Sequence, residues 1–223
     1  MLAPIRAIQC GLCPFQEADA RQKRIREGVA KGTAPETILI LEHPPVITRG
    51  RGDDGTQLKV SESLLAREGV PVVDVERGGG VTYHGPGQVV AYPVVRLERF
   101  QNDIHRYLRA LESAVIQVCG RLGVEACRRE GMTGVWVEDR KIAFMGVAVR
   151  GGVTFHGLSL NVLEMKKGFQ WMEPCGLKNL TVTSLAEEGA WIPPAEAAER
   201  LGAALLAVCE DPECWRAERI PRG

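Results

Sequence analysis

The most informative stretch of the sequence is RGGGVTYHGPGQ, residues 77–88. Glycine costs conformational entropy, so three consecutive glycines beside a strand indicate unusual backbone dihedral angles or a close approach of the backbone to another group. Polar side chains are interleaved with these glycines: Arg77, Thr82, His84 and Gln88. We interpret the segment as a loop that folds over a polar ligand, because a plain hairpin connection rarely needs so many glycines and polar groups together.

Short apolar runs flank this segment and predict strands on both sides of it. Before and around it the runs are residues 37–41, 46–48, 72–75, 81–83 and 89–97. Pro93 within the last run indicates an edge strand or a bulge, because proline has no N–H to donate to a neighbouring strand. Downstream, residues 134–138, 142–149 and 153–162 predict a three-stranded meander with tight turns between its strands.

Helices are predicted between these strands. Pro14 and Gly32 bracket a first helix over residues 14–31, and Ser61 or Ser63 caps a short second helix. Residues 102–122 carry an apolar stripe at three- and four-residue spacing and predict the longest helix, while residues 194–209 predict a closing one. No repeat and no linker stands out, so we expect one α+β domain over residues 1–223.

Composition excludes several classes of protein. Lysine plus arginine and aspartate plus glutamate both number 28 among the 223 residues, so the chain lacks the net positive charge of a dedicated nucleic-acid binder. No apolar stretch reaches the roughly 18 residues of a membrane span. The cysteines number seven, an odd count, and we expect no secretory signal before them. We therefore expect reduced thiols in a soluble cytoplasmic protein.

Three motif matches fail on their sequence context. Residues 50–55, GRGDDG, fit the dinucleotide-binding string G-x-G-x-x-G, but two aspartates stand where a pyrophosphate would approach. Residues 157–161 nearly match the G-x-S-x-G nucleophile elbow, but they end in Asn161 and have the pattern of a strand interior. Cys10 and Cys13 have the spacing of redox and zinc sites, but no second close pair follows them. We interpret both as small apolar side chains.

Two further residues have chemistry that packing does not explain. Lys141 precedes the apolar residues 142–146, and its ammonium group either extends to solvent or points inward. A partly desolvated ammonium has a lowered pKa and can act as an acid, a base or the partner of a thiolate. Cys175 lies in a turn between Pro174 and Gly176, away from any apolar periodic face. An accessible thiol near a cation becomes a thiolate, which suits nucleophilic acyl transfer.

Together these segments closely resemble the lipoyl(octanoyl) transferase family. The matching residues are R-G-G-x-x-T-Y-H-G-P-G-Q at 77–88, Lys141-Ile142-Ala143 with Gly146, His156-Gly157-Leu158 with Leu160-Asn161, and Pro174-Cys175-Gly176. The likeness spans at least residues 43–185 in register. It implies an octanoyl-[acyl carrier protein]:protein N-octanoyltransferase with a biotin/lipoate protein ligase-like fold, in which a central mixed β-sheet is flanked by helices.

The resemblance also implies roles for residues and partners. Cys175 would be the acyl-accepting nucleophile and Lys141 its partner. Octanoyl-phosphopantetheine would arrive on acyl carrier protein, with no other cofactor and no metal, and leave on a lysine of the lipoyl domains of 2-oxoacid dehydrogenases or of the glycine cleavage H protein. We expect a monomer that binds neither nucleic acid nor membranes. The expected substrate-binding residues are Arg77, Gly78, Gly79, Gly80, Val81, Thr82, Tyr83, His84, Phe144, Met145, Gly146, His156, Gly157, Leu158 and Ser159.

Finer expectations follow for parts of this set. The acyl chain should contact three apolar side chains: Val81, Phe144 and Leu158. The oxyanion should meet backbone N–H groups near three glycines: Gly78, Gly79 and Gly146. The family usually has a small residue where this chain has Phe144, so the preferred acyl chain length stays open. Because both partners in this family are acidic, we expect a basic rim of exposed side chains: Arg51, Arg128, Arg129, Arg150, Lys166 and Lys167.

The sequence leaves two alternative functions open. An ATP-dependent lipoate or biotin protein ligase-like enzyme would share the fold and use a lysine, but it needs no cysteine nucleophile, so Cys175 favours the transferase. A carrier-protein-binding module without enzymatic activity would need the basic surface residues and would not depend on Cys175.

Overall fold

The computed structural model describes residues 4–174 and 180–211, and over these residues ten strands form two sheets. The strands are β1 (Arg6–Leu12), β2 (Thr37–Glu42), β3 (Val46–Arg49), β4 (Val72–Asp74), β5 (Val81–His84), β6 (Gln88–Val94), β7 (Cys127–Arg129), β8 (Met132–Val137), β9 (Arg140–Arg150) and β10 (Val153–Asn161). The helices described are α1 (Phe15–Lys31), α2 (Glu62–Arg67), α3 (Ile104–Arg121), α4 (Lys166–Phe169) and α5 (Pro194–Glu210), with a 3-10 helix at Leu97–Phe100.

The larger sheet has the strand order β1-β2-β6-β10-β9-β8-β7. Its first pair is parallel and its other pairs are antiparallel, so the sheet is mixed. Helices α3 and α5 cover one face, and α1 covers the other. This arrangement confirms the expected α+β class with a central mixed sheet flanked by helices.

Strand β2 shows why the sheet carries a layer on each face. Ile38 and Ile40 pack with α3 and α5, whereas Leu39 and Leu41 pack with α1, and all four side chains are at most 2% exposed. Alternate side chains of a strand point to opposite faces, so an unbroken apolar run is stable only where both faces are covered.

Helix ends follow the signals in the sequence. Helix α1 ends at Gly32, which has a φ of 73°, and such a left-handed cap favours glycine. At the start of α3 the Asp103 carboxylate accepts hydrogen bonds from two backbone N–H groups, and before α2 the Ser61 hydroxyl accepts one from Leu64. None of the helices in the described part of the chain is long and apolar enough to cross a membrane.

Pro93 lies in the middle of the large sheet, because β6 pairs with β2 on one side and β10 on the other. The predicted edge position is therefore wrong, but the β6–β10 ladder is interrupted opposite Pro93, where His156 has a φ of 55°. The Thr154 hydroxyl spans the interruption: it donates to the Pro93 carbonyl (2.8 Å) and accepts from the Val95 N–H (3.1 Å). A side chain thus replaces ladder bonds near the residue that has no N–H.

The smaller sheet has the order β4-β3-β5 and its own apolar cluster. Val81 and Tyr83 of β5 belong to this cluster, together with Leu65 of α2, Phe144 of β9 and Phe169 of α4. Because Phe144 comes from the large sheet, the cluster joins the two sheets. Residues 77–80 lie at this junction, directly before β5.

Because β6 and β10 approach closely, a single methyl group added between them should lower the stability of the fold. In Gly157→Ala the new Cβ would lie 2.2 Å from the Ala91 oxygen, so we expect the free energy of unfolding to fall by about 1–3 kcal/mol, as in overpacked cores. Gly120→Ala in α3 is the matched control, because nothing lies within 4 Å of its Cβ position. It should leave stability unchanged or raise it by up to about 1 kcal/mol. Urea unfolding of both variants measures the difference, and equal stability would contradict the close contact between β6 and β10.

Candidate active site

The glycine-rich residues 77–80 pack against a second backbone loop, residues 50–52. Three N–H groups of residues 50–52 donate to carbonyl oxygens of residues 77–80 at 3.0–3.1 Å. A Cβ at Gly50 would lie 2.2 Å from the Gly79 oxygen, and Gly79 itself has a φ of 78°. Glycine is therefore required here by the contact between two backbones. The string GRGDDG serves this contact and has no helix directly behind it.

Arg77 holds the segment between the two sheets. The residue is 8% exposed, and its guanidinium donates to the carbonyl oxygen (2.7 Å) and the hydroxyl (2.8 Å) of Thr48 in β3. On the other side, the Gly78 N–H donates to the Val147 oxygen in β9 at 2.9 Å. Gly146 of β9 has no room for a side chain, because its Cβ would lie 2.8 Å from Cδ of Arg77.

A cavity lies behind this segment. Its walls come from β3, β5, β6, β9, β10, the 77–80 segment and the start of α1. The lining residues are Phe15, Thr48, Arg77, Gly79, Thr82, His84, Val90, Tyr92, Phe144, Met145, Gly146, His156, Gly157, Leu158 and Ser159. Eleven of these fifteen belong to the set expected from the sequence, so the structure brings most of that set together.

Four lining residues were not expected from the sequence: Phe15, Thr48, Val90 and Tyr92. Residues 89–92 are all apolar or aromatic and all buried, so no alternation indicates which of them face the cavity. Phe15 starts α1, and Thr48 lies within β3. Neither position carries a sequence signal for a site.

Four expected residues do not line the cavity. Val81 and Tyr83 point into the apolar cluster of the small sheet, because they alternate along β5 with the cavity-lining residues 82 and 84. The period-two alternation of VTYH therefore predicts opposite orientations for Val81 and Thr82, and Val81 does not line the cavity. Gly80 packs against the Gln57 side chain, which would lie 1.9 Å from a Cβ. Gly78 lines a separate groove.

Buried imidazoles stand in and beside the cavity. Burial lowers the pKa of His43 to about 4 and the pKa of His84 and His156 to about 3. The positive charge of Arg77 contributes to the lowered pKa of His156 and, after the neighbouring His43, of His84. All three histidines are therefore neutral at neutral pH, and they act as hydrogen-bonding groups.

The hydrogen bonds of His156 define its tautomer. The Gln22 side-chain oxygen accepts from the His156 backbone N–H (2.6 Å), so the Gln22 amide nitrogen donates to Nδ1 (3.3 Å) and Nε2 carries the proton. Among the described residues, neither this Nε2–H nor the Thr82 hydroxyl has a hydrogen-bond partner, although both atoms are buried. Because both residues line the cavity, they are available to bind polar atoms of a ligand.

A groove on the other side of residues 77–80 contains Lys141. Lys141 is 3% exposed, its ammonium donates to the Thr133 oxygen at 2.9 Å, and the nitrogen lies 4.8 Å and 5.2 Å from the ring centres of Phe144 and Trp136. Aromatic faces attract cations. Of the two orientations that the sequence left open, the structure has the inward one.

The cavity and the groove meet at Gly79, Met145 and Gly146, which line both. A group bound in the cavity would approach Lys141 at this junction. The Gly78 N–H is already bonded to Val147, and Gly146 is paired with Gly157 in the β9–β10 ladder, so of the three glycines considered for oxyanion binding Gly79 is the candidate.

Cys175 lies outside the described residues. The residues on either side of the undescribed segment, Pro174 and Leu180, line one hollow together with Thr181. The Lys141 N–H donates to the Thr181 oxygen (2.9 Å), and the Thr183 N–H donates to the Lys141 oxygen (3.0 Å). The chain that follows residues 175–179 therefore runs beside Lys141.

Other thiols are poorly suited to nucleophilic chemistry. Burial raises the pKa of Cys10 and Cys13 above the ordinary value, and it raises the pKa of Cys119 to about 12. Because the thiolate is the reactive form, a raised pKa lowers reactivity. Over residues 4–174 and 180–211, no group of three histidine, cysteine, aspartate or glutamate side chains could hold a metal ion.

The expected basic rim is present only in part. Arg51 and Arg150 are 71% and 68% exposed in their side chains and both approach Glu76. Three others are partly or fully exposed: Arg129, Lys166 and Lys167. The assignment of Arg128 to the rim is wrong, because its side chain is 9% exposed and bonds to the buried carboxylate of Glu112.

Comparisons with known proteins point to one family. A model of the lipoyl protein ligase A/B catalytic domain matches residues 14–206. An octanoyltransferase of Geobacter metallireducens is 47% identical over 176 residues, 79% of this chain and 79% of that protein. An octanoyltransferase of Chloroflexus aggregans is 44% identical over 202 residues, 89% of this chain and 91% of that protein.

Solved structures share the fold. A bipartite lipoate protein ligase of Thermoplasma acidophilum, studied with its E2 lipoyl domain, has a TM-score of 0.67 at 14% identity and covers 100% of this chain and 87% of that one. Lipoate-protein ligase A bound with ATP has a TM-score of 0.59 at 13% identity and covers 95% of this chain and 85% of that one. At these identities the likeness shows the fold alone.

The buried histidines predict a loss of stability in acid. The pKa of these imidazoles is near 6.5 in the unfolded chain and about 3–4 in the folded chain. Between these two pH values, therefore, only the unfolded state binds protons. The free energy of unfolding is therefore highest above about pH 6.5. It falls as the pH drops, by about 2 kcal/mol per histidine between pH 7 and pH 5. His156→Gln should reduce this fall and the exposed His105→Gln should not. Urea unfolding at the two pH values measures it, and an unchanged fall in His156→Gln would contradict burial of a neutral imidazole.

Proposed function

We propose that this chain, which belongs to the lipoyl protein ligase A/B catalytic domain family and has octanoyl transfer as its activity, carries the octanoyl group as a thioester on Cys175. The donor is the octanoyl thioester of acyl carrier protein. The acceptor is a lysine of a lipoyl domain, as in 2-oxoacid dehydrogenases and the glycine cleavage H protein. Protein-bound octanoyl, the precursor of lipoate, is the product.

The observation that supports this proposal best is the junction between the cavity and the Lys141 groove. Val90, Phe144 and Leu158 give the cavity the apolar walls that an acyl chain needs. The acyl chain lies in the cavity, and its thioester carbon stands at the junction formed by Gly79 and Gly146. One end of the substrate is therefore buried, and its reacting end is next to the ammonium.

Lys141 supplies the positive charge that a cysteine nucleophile needs. In the proposed dyad the ammonium of Lys141 stabilises the thiolate of Cys175. The thiolate attacks the thioester carbon, the octanoyl–sulfur bond to phosphopantetheine breaks, and the Lys141 ammonium protonates the leaving thiolate. The exchange of one thioester for another is nearly isoenergetic, so the intermediate is easily reached.

The second half of the reaction uses the neutral Lys141 amine. The incoming lipoyl-domain lysine has an ordinary pKa near 10.4 and is protonated at neutral pH, so it must lose a proton before it attacks. Lys141 takes that proton. The amine then forms the amide bond, the Cys175 thiolate leaves, and the second proton of the former ammonium goes to solvent. The backbone N–H group of Gly79 is the proposed oxyanion donor.

Partner binding is proposed to use the exposed arginines beside the site. Arg51 extends from the loop that packs on residues 77–80, and Arg150 ends β9. Carrier protein and lipoyl domains are acidic in this family, so these cations would steer both partners, and association would weaken with salt. We propose that the chain acts as a monomer without a further cofactor.

Acyl mapping tests the nucleophile. After incubation with octanoyl carrier protein, peptide mass spectrometry should find the octanoyl group on Cys175, and Cys175→Ser should neither accumulate a thioester nor transfer at more than about a thousandth of the wild-type rate, as for other removed nucleophiles. Cys127→Ser is the control and should keep activity. Octanoyl on another residue, or full activity of Cys175→Ser, would refute the mechanism. A requirement for ATP would instead favour the ligase alternative.

Phe144 predicts the preferred chain length. Its ring lines the cavity and stacks on Phe169 at 4.9 Å, so Phe144→Ala should lengthen the space for an acyl chain. We expect the ratio of kcat/KM for decanoyl to that for octanoyl donor to rise by about tenfold or more, since one or two methylenes change transition-state binding by that amount. Phe100→Ala removes a buried ring that does not line the cavity and packs on Tyr107, and it should leave the ratio unchanged. An unchanged ratio in Phe144→Ala would show that another wall limits the chain.

A further inference from the structure

One peptide group of β8 links Lys141 to a buried carboxylate. The carbonyl of Thr133 accepts a hydrogen bond from the Lys141 ammonium at 2.9 Å. The N–H of the same peptide, which belongs to Gly134, donates to Oε1 of Glu112 at 3.0 Å. A single planar group therefore connects the carboxylate on one side with the ammonium on the other.

Glu112 is fully buried on α3, at 0% exposure, and its two oxygens have different partners. Oε2 accepts from the guanidinium groups of Arg109 (2.7 Å) and Arg128 (3.1 Å), while Oε1 accepts from the Gly134 N–H. Arg128 also bonds to the Arg109 carbonyl oxygen and the Ser113 hydroxyl. Two arginines thus bind one oxygen of the carboxylate, and its other oxygen binds the Gly134 N–H of β8.

Gly134 makes close contact with the lysine side chain. Its φ is 135°, and a Cβ there would lie 2.4 Å from Cε and 3.0 Å from Nζ of Lys141. Lys141 therefore packs directly against the peptide that Glu112 holds. Any shift of that peptide moves both the carbonyl that binds the ammonium and the surface on which the side chain lies.

We propose that Glu112 is a positioning residue for Lys141, acting through the Thr133–Gly134 peptide. The carboxylate orients the peptide and polarises it, so the Thr133 carbonyl becomes a stronger acceptor for the ammonium. The consequence for catalysis rests on the proposed function of Lys141 in acyl transfer. The geometric consequence, a fixed and shielded ammonium, is independent of that function.

Two substitutions separate positioning from general packing of the buried charges. Glu112→Gln retains the size of the side chain but removes the charge that binds the peptide and both arginines. Arg109→Gln removes one partner of Oε2, on a side chain that is 38% exposed, and leaves the bond from Oε1 to Gly134 in place. Both variants disturb the same cluster, and only the first weakens the link to Lys141.

The direct measurement is the reactivity of the Lys141 amine. Native protein is treated with a limiting amount of acetic anhydride, and acetylation of Lys141 is compared with that of the exposed Lys31 by peptide mass spectrometry. In Glu112→Gln the relative rate at Lys141 should rise about tenfold, because a charge-assisted hydrogen-bond chain is lost. In Arg109→Gln it should stay within about twofold of wild type. An unchanged rate in folded Glu112→Gln would overturn the proposal.

Kinetics supply the second measurement. For octanoyl transfer, Glu112→Gln should lower kcat about tenfold while KM for the octanoyl donor stays within about twofold, because the cavity is untouched and only the ammonium loses its position. A rise in KM with unchanged kcat would contradict positioning. If wild-type protein transferred no octanoyl group, the proposed function would fail, and the acetylation result would still decide the role of Glu112.

A double variant covers the case in which Glu112→Gln does not fold. The cluster of Glu112, Arg109 and Arg128 has one negative and two positive charges, a net charge of +1, which Glu112→Gln raises to +2. Glu112→Gln with Arg109→Gln returns it to +1, the net charge of the wild-type cluster. The double variant should show the same rise in Lys141 acetylation, and wild-type reactivity in it would refute the proposal.

Discussion

A buried guanidinium is the interaction on which the site depends. Arg77 binds Thr48 of the small sheet through two oxygens, and its aliphatic stem fills the space beside Gly146 of the large sheet. Hydrogen bonds to a charged donor are stronger than neutral ones, and leaving such a group unpaired in the interior is costly. Arg77 therefore joins β3 to β9, and the cavity and the groove lie on the two sides of residues 77–80.

Charge is distributed differently in the cavity and in the Lys141 groove. In the cavity, burial and the nearby Arg77 cation keep His84 and His156 neutral, so they present directed hydrogen bonds without net charge. In the groove, the ammonium of Lys141 rests on a carbonyl and two aromatic rings. In the proposed mechanism the acyl chain thus lies beside neutral imidazoles, and a cation stands where the thiolate forms. The two environments meet at Gly79, Met145 and Gly146, and two of these three residues have no side chain.

Local features of this fold were predictable from the sequence because each has a local cause. Apolar runs, a helical apolar stripe and caps such as Gly32 depend on neighbours in the chain. Two misplacements have non-local causes. Pro93 lies in a central strand where the hydroxyl of Thr154, some sixty residues away, donates to the Pro93 carbonyl. Arg128 turns inward because Glu112 of α3 presents a carboxylate to it. The inward orientation of Lys141 likewise depends on Gly134 in another strand, whereas the side of β5 on which Val81 lies followed from period-two alternation alone.

Lysine is the residue this environment requires at position 141. An ammonium has three N–H donors around one atom, so it can bind the Thr133 carbonyl, lie over an aromatic ring and still move its proton to a reacting group. In the proposed mechanism an arginine would keep its charge throughout and could not accept the proton of the incoming amine. Its planar, longer head would also displace the Thr133–Gly134 peptide, against which the lysine stem already packs without room for one methyl group. The same glycine that admits the lysine therefore excludes larger cations, and the carboxylate of Glu112 holds that glycine in place.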